Sequence, residues 1–191
     1  ASTSFLQYET DLYLKELANL IGLQPAVDVY LQSLSAIGNI ENIIEQCKIK
    51  CSFKKKQSVL FAHSKRLNAQ LAEEFHLRKQ FIPGLEFIEG KELKNKYKIA
   101  SEAAILSPTA AAMDPVAFTR QLIQYNTKKG LKVFTNTNIQ VIGNACDKKL
   151  LITATNKRIV CQKLVFCTGY ESFNFIKKHI DFVNVFFIFV K

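Results

Sequence analysis

The sequence predicts a mixed α/β fold, and three observations carry that reading. Apolar residues recur at helical spacing from Val27 to Cys47. Short continuous apolar runs are bounded by Gly, Pro and Asn. The two kinds of segment alternate along most of the chain, as in interwoven α/β folds rather than strung domains. The 191 residues suit one domain or one and a half and can bury a sizeable core. A hydrophobic content of 48% with moderate charge excludes collagen-like, disordered and disulfide-scaffold classes. No apolar run approaches the roughly 18–20 residues that span a bilayer. The longest, Val183 to Val190, holds one polar residue, Asn184, and fits a buried strand. The opening Ala1-Ser2-Thr3-Ser4 is neither an initiator methionine nor a signal peptide, so a fragment is expected.

Leu12, Leu14, Leu17, Leu20 and Ile21 predict a short helix stopped at Gly22. Pro25 then opens a longer helix at its first position, with the stripe Val27, Tyr30, Leu34, Ile37, Ile40, Ile44 and Cys47 on one buried face. Gly38 inside it predicts a kink or close packing. From Cys51 the period changes: Cys51–Phe53 and Ser58–Ala62 read as strands joined by a lysine turn. Ser64 caps a helix carrying Leu67, Leu71 and Phe75. After the Pro83-Gly84 break, Leu85–Ile88 is strand-like, Gly90–Tyr97 a short charged helix and Ala103–Leu106 a further strand.

Asp114-Pro115 is the best local signal, an N-cap before a first-turn proline. The helix it opens runs through Phe118, Leu122 and Tyr125 to Lys128-Lys129 and closes at Gly130, the lysines complementing its dipole. Leu131–Phe134 follows as a strand. Ile139–Ile142, Leu150–Ala154 and Arg158–Val160 form a meander, with Asn156-Lys157 as one turn. Lys163–Cys167 is a final apolar strand ending at Thr168-Gly169.

Lysine and arginine number 26 against 16 acidic residues, a formal net charge of +10. Such an excess can recruit phosphates, nucleic acid or an anionic membrane. The densest cluster, Lys48, Lys50, Lys54, Lys55 and Lys56, encloses a single aromatic, Phe53. A single-strand platform needs several interleaved aromatics, so a solvated turn is the better reading and no specific nucleic-acid partner is expected. Five cysteines without a signal peptide argue for reduced thiols in the cytoplasm. Cys47 and Cys51 lack a second pair or a nearby histidine, and His63, His76 and His179 are scattered, so no metal is expected.

Thr168-Gly169 is the most suggestive candidate site. Ligands in open α/β sheets bind at the carboxyl ends of strands, where a glycine admits close approach; an ordinary turn glycine reads the same way. No G-x-S-x-G, P-loop or G-x-G-x-x-G occurs in the chain, and the acidic residues show no spacing for acid–base work.

Taken in order, Ala111-Ala112-Met113-Asp114-Pro115, Gly130-Leu131-Lys132-Val133, Asn138-Ile139-Gln140-Val141-Ile142, the meander and Lys163 to Ser172 resemble the interior of FAD-dependent oxidoreductases of the D-amino-acid oxidase and glycine oxidase superfamily. Ala1 to Glu9 resembles the segment that runs past the flavin in a bacterial subgroup. The resemblance covers most of the chain. It implies a partial two-domain fold: residues 1–50 and 114–175 in the FAD-binding domain, 51–113 and 176–191 in a substrate domain whose sheet covers the flavin. It further implies FAD as cofactor and a small amine or amino acid as substrate, oxidised by hydride transfer, with oligomerisation left open. Val141 matches a position that meets adenine through its backbone, and Thr168 and Gly169 match the turn beside the diphosphate. Ser2, Thr3 and Ser4 lie in the flavin-proximal segment. The family's leading G-x-G-x-x-G turn and its carboxy-terminal portion are absent from these residues, so the chain by itself is expected to be inactive and to bind FAD poorly. A non-catalytic basic α/β interaction domain, or a degenerate remnant, is the alternative.

Overall fold

The computed structural model describes residues 4–62, 64–145 and 147–167 and divides the chain into two units, residues 1–129 and 130–191. The first is built around one strand. Among the described residues the elements run in order: β1 (Phe5–Leu6), α1 (Leu14–Ile21), α2 (Leu23–Cys47), β2 (Lys54–Phe61), α3 (Lys65–Lys79), β3 (Glu86–Glu89), α4 (Gly90–Tyr97), β4 (Ala103–Ala112), α5 (Pro115–Thr127), β5 (Ile139–Ala145), β6 (Lys148–Thr153) and β7 (Arg158–Cys161). In the first unit β2 pairs antiparallel along one edge of β4. The other edge is shared by β3, against Ala103–Leu106, and β1, against Ala111 and Ala112.

Both faces of β4 are covered, which explains why Ala103–Leu106 reads as a continuous apolar run instead of alternating. Ala103 and Ile105 join the larger core with Leu14, Val27, Tyr30 and Leu71 from α1, α2 and α3. Ala104 and Leu106 join a smaller core with Ile88 of β3 and Leu93 of α4. Within α2 the buried residues Val27, Tyr30 and Ile37 lie on the expected stripe. The helix starts two residues before the expected proline: Leu23 opens it and Pro25 sits third, still in the turn whose N–H groups have no intrahelical partner. A Cβ at Gly38 would meet nothing within 4 Å, so close packing is not what this glycine serves.

The lysine turn is in fact strand. Lys54, Lys55 and Lys56 pair with Ala112, Ala111 and Ala110, and the register then shifts between Lys56 and Ser58. Pro108, which has no N–H to donate, falls on β4 opposite that irregularity, where a ladder bond is already missing. This is why β4 runs through a proline to Ala112, six residues beyond the expected end. Among the described residues β2 pairs with β4 alone, and its exposed lysines lie on that edge strand, where charge opposes pairing with another chain.

Gly90 opens α4 against the preceding turn of β4. A Cβ there would stand 2.9 Å from the Ser101 carbonyl oxygen and 3.3 Å from that of Glu102, both backbone atoms. Gly90→Ala must therefore push α4 off the sheet, and a loss of about 1–3 kcal/mol is expected in urea unfolding, the usual scale of overpacking.

The second unit holds the meander β5-β6-β7, all antiparallel, with Asn156 at positive φ in the β6–β7 turn. Two expected strands are corrected. Residues 131–134 belong to neither sheet and leave Leu131, Val133 and Phe134 exposed, the last at 70%. Residues 163–167 likewise belong to neither sheet. A strand apolar on both faces is stable only between flanking strands, and the described residues supply none for these two. The apolar run Phe182 to Val190 lies outside the described residues.

Candidate functional site

Three segments distant in sequence meet at the end of β4. The Met113 amide donates to the Ser4 carbonyl at 2.9 Å, and the Asp114 amide donates to the Cys51 carbonyl at 2.7 Å. Gln121 of α5 clamps the adjoining Lys50 backbone from both sides: Lys50 N–H donates to Oε1 at 2.9 Å and Nε2 donates to the Lys50 carbonyl at 2.7 Å. Two serines at this junction, Ser4 at φ 67° and Ser52 at φ 54°, hold the left-handed conformation that costs a non-glycine residue about 1–2 kcal/mol. Backbone strain of this kind concentrates at binding and catalytic sites. The strand arriving there ends in Ala110-Ala111-Ala112, of which Ala110 and Ala111 are buried and Ala112 is half-buried.

Asp114 anchors the junction to α5. Its Oδ1 accepts from the Val116 and Ala117 amides, each at 2.9 Å, so the expected N-cap is present, with Pro115 at the first helical position. Asp114→Ala should lower stability by about 1 kcal/mol, measured as a thermal-midpoint shift. Cys51, 2% exposed, has its thiol pushed up by burial and further by the Asp114 carboxylate, against a backbone hydrogen bond that lowers it. Its environment on balance favours the protonated thiol.

A buried ionic cluster that sequence reasoning missed lies on α3. Glu74 and Arg78 of α3 are each 1% exposed, and Arg78 Nε donates to Glu74 Oε1. The same carboxylate caps α1, accepting from Leu14 N–H at 2.6 Å and Lys15 N–H at 3.1 Å. Arg78 Nη2 donates to the Tyr30 hydroxyl at 3.0 Å, which donates in turn to the Leu12 carbonyl at 2.8 Å. The one sequence signal was the i,i+4 spacing of Glu74 and Arg78, which ordinarily marks an exposed pair.

Burial pushes the Tyr30 phenol up to about 12, with the Arg78 guanidinium pulling the other way. Tyr8 and Tyr13 are raised for the same first reason. A raised folded pKa favours the protonated phenol in the fold, so this contribution is complete below pH 10 and lost as pH climbs through about 12. Tyrosinate absorbance should accordingly appear late for these three of the six tyrosines, and unfolding should accompany it.

Of the residues expected at a site, Ser4 lies at the junction. Val141 lies on β5 in the other unit, 50% exposed, just after a register irregularity. β5 pairs with β6 alone among the described residues, so its outer edge presents backbone groups. Ser2, Thr3, Thr168 and Gly169 lie outside the described residues. Among the described residues no three His, Cys, Asp or Glu side chains are grouped to hold a metal, and no helix is long and apolar enough to cross a membrane.

The family model described as FAD dependent oxidoreductase matches residues 10–185, and the chain belongs to that family. No curated protein matches in sequence. Among solved structures, glycine oxidase from Geobacillus kaustophilus superposes with a TM-score of 0.65 at 13% identity, covering 84% of this chain and 42% of that one. L-amino acid deaminase from Proteus myxofaciens gives 0.61 at 16% identity, covering 83% of this chain and 34% of the other. L-proline dehydrogenase from P. horikoshii gives 0.55 at 15% identity, over 66% of this chain and 35% of the other. The chain thus spans well under half the length of these structures, which share its fold. The family is FAD-dependent. Within the first unit, Ser4 and Ala112 are half-buried and small, so a flat ring system can approach the strained backbone of the junction there.

Proposed function

We propose that this chain is part of an enzyme that oxidises a small amine or amino acid by hydride transfer to FAD. The family match over residues 10–185 carries the reading, and the glycine, amino-acid and proline names of the structural neighbours favour that substrate class. Bound FAD would supply the two-electron acceptor for the carbon–hydrogen bond next to the amine. The chain's own residues would bind and orient. Ser2, Thr3 and Ser4 would pass the ring, Val141 would meet adenine through its backbone, and Thr168 and Gly169 would sit beside the diphosphate. Residues 51–113 and 176–191 would form the substrate side, with the β4 sheet shielding the reacting centre from water, and residues 1–50 and 114–175 the cofactor side. The free Cys47, Cys51, Cys161 and Cys167 thiols agree with a reducing cytoplasmic setting.

The test is to purify the whole polypeptide that carries this sequence and to add small amines and amino acids without oxygen. Bleaching of a co-purified flavin by one of them is the expected result, with residues 1–191 alone retaining FAD far less well. The net charge of +10 and the exposed lysines of β2 favour a second reading, a non-catalytic module for anionic partners. A flavin-free polypeptide that binds nucleic acid with a steep salt dependence would establish that one instead.

A further inference from the structure

We propose that Arg78 is a positioning residue for the junction at Ser4, acting through residues 5–15 without touching the junction itself; that the junction serves a flavin rests on the reading above. Between Leu6 and Leu14 the chain has no regular structure, so its path is set by tertiary contacts. β1 contributes two paired residues, far too few to hold an independent course. Ser58 Oγ of β2 donates to Glu9 at 2.7 Å, and the other side-chain contacts that hold the segment converge on α3. Glu74 grips the Leu14 and Lys15 amides, Arg78 grips Glu74, and the Arg78–Tyr30 hydrogen bond continues to the Leu12 carbonyl.

The guanidinium also organises aromatic rings from both ends of the segment. Its carbon stands 4.9 Å from the Tyr30 ring centroid and 5.9 Å from that of Tyr13. Tyr8, 1% exposed, meets Tyr30 edge-on at 6.0 Å between centroids. Its hydroxyl lies near Ser107 and Arg78 without closing a hydrogen bond of normal geometry, and Arg78 Nη1 is likewise buried without one. A planar fork with fixed donor directions sets the angles between carboxylate, phenol and ring, which an ammonium could not do. From Tyr8 the chain runs back through Leu6 and Phe5, paired to Ala111 and Ala112, to the strained Ser4 whose carbonyl receives Met113. Moving residues 8–14 therefore moves Ser4.

Residue-resolved hydrogen exchange on the whole polypeptide tests this, with Arg78→Lys and Tyr30→Phe compared to wild type. Tyr30→Phe keeps the ring and cuts only the link from Arg78 to Leu12, so it reports even where an Arg78 variant fails to fold. The expected result is exchange roughly tenfold faster or more at the Met113, Leu14 and Lys15 amides, with the β2–β4 ladder unchanged, the mark of local opening. The flavin absorption band should shift in the same variants. Equal acceleration across the ladder, no change at Met113, or exchange that responds while flavin affinity and band stay at wild-type values would each overturn the proposal. If wild type takes up no FAD, the flavoenzyme reading fails, and the exchange pattern alone decides whether Arg78 holds the segment.

Discussion

Arg78→Ala is expected to lower the unfolding free energy by about 3–5 kcal/mol, the cost of leaving a buried charge without its partner. Glu74 would keep its two α1 amides but lose its cation while 1% exposed. Against a typical total of roughly 5–15 kcal/mol, that removes a large share of the stability. The pair's own worth is a separate quantity, since desolvating both charges offsets much of their attraction. The control is Arg78→Met with Glu74→Gln, in which the glutamine oxygen still accepts from α1. The double variant should lose only about 1–2 kcal/mol, because no charge is stranded, although one neutral cap hydrogen bond replaces two charged ones. Urea unfolding followed by circular dichroism separates the two. Equal losses would mean that lost packing around Tyr30, and not the stranded carboxylate, sets the cost.

Local chemistry made several elements legible in sequence. Asp114-Pro115 set the start of α5, Gly22 the break between α1 and α2, and Gly90–Tyr97 the bounds of α4, since caps and glycine conformations act within a few residues. What long-range pairing decides was not legible. Lys54–Lys56 read as a turn because their strand character comes from Ala110–Ala112, more than fifty positions away. Leu131–Phe134 read as a strand because its composition fits one, yet a strand exists only with a neighbour. The Glu74–Arg78 cluster was hidden for a similar reason: its burial follows from what α1 and α2 lay over it, and the i,i+4 spacing carries no trace of that cover. Of the candidate site, the Ser4 segment and the Asp114 helix start were readable. That they lie together was not, because their junction is made by backbone hydrogen bonds across more than a hundred residues.

The two cores on either face of β4 should answer differently to the same deletion. Leu71 of α3 and Leu93 of α4 are both fully buried, one in the core shared with α1 and α2, the other in the smaller core that α4 forms with β3 and β4. Leu→Ala in a core costs about 2–5 kcal/mol, and the place within that range depends on how far the surroundings collapse into the cavity. Around Leu71 the three helices α1, α2 and α3 are tied together by the Glu74–Arg78 hydrogen bonds, so collapse is opposed and the loss should fall near the top of the range. Around Leu93 an eight-residue helix can settle toward Ile88 and Leu106, limited by the contact of Gly90 with the Ser101 carbonyl, so the loss should fall near the bottom. Unfolding free energies of Leu71→Ala and Leu93→Ala, measured side by side, decide it. A larger loss at Leu93 would mean that α4 is held as rigidly as the helical face. In that case the sheet is clamped from both sides, and β4 delivers its Ala110–Ala112 end to the Ser4 junction as a fixed wall.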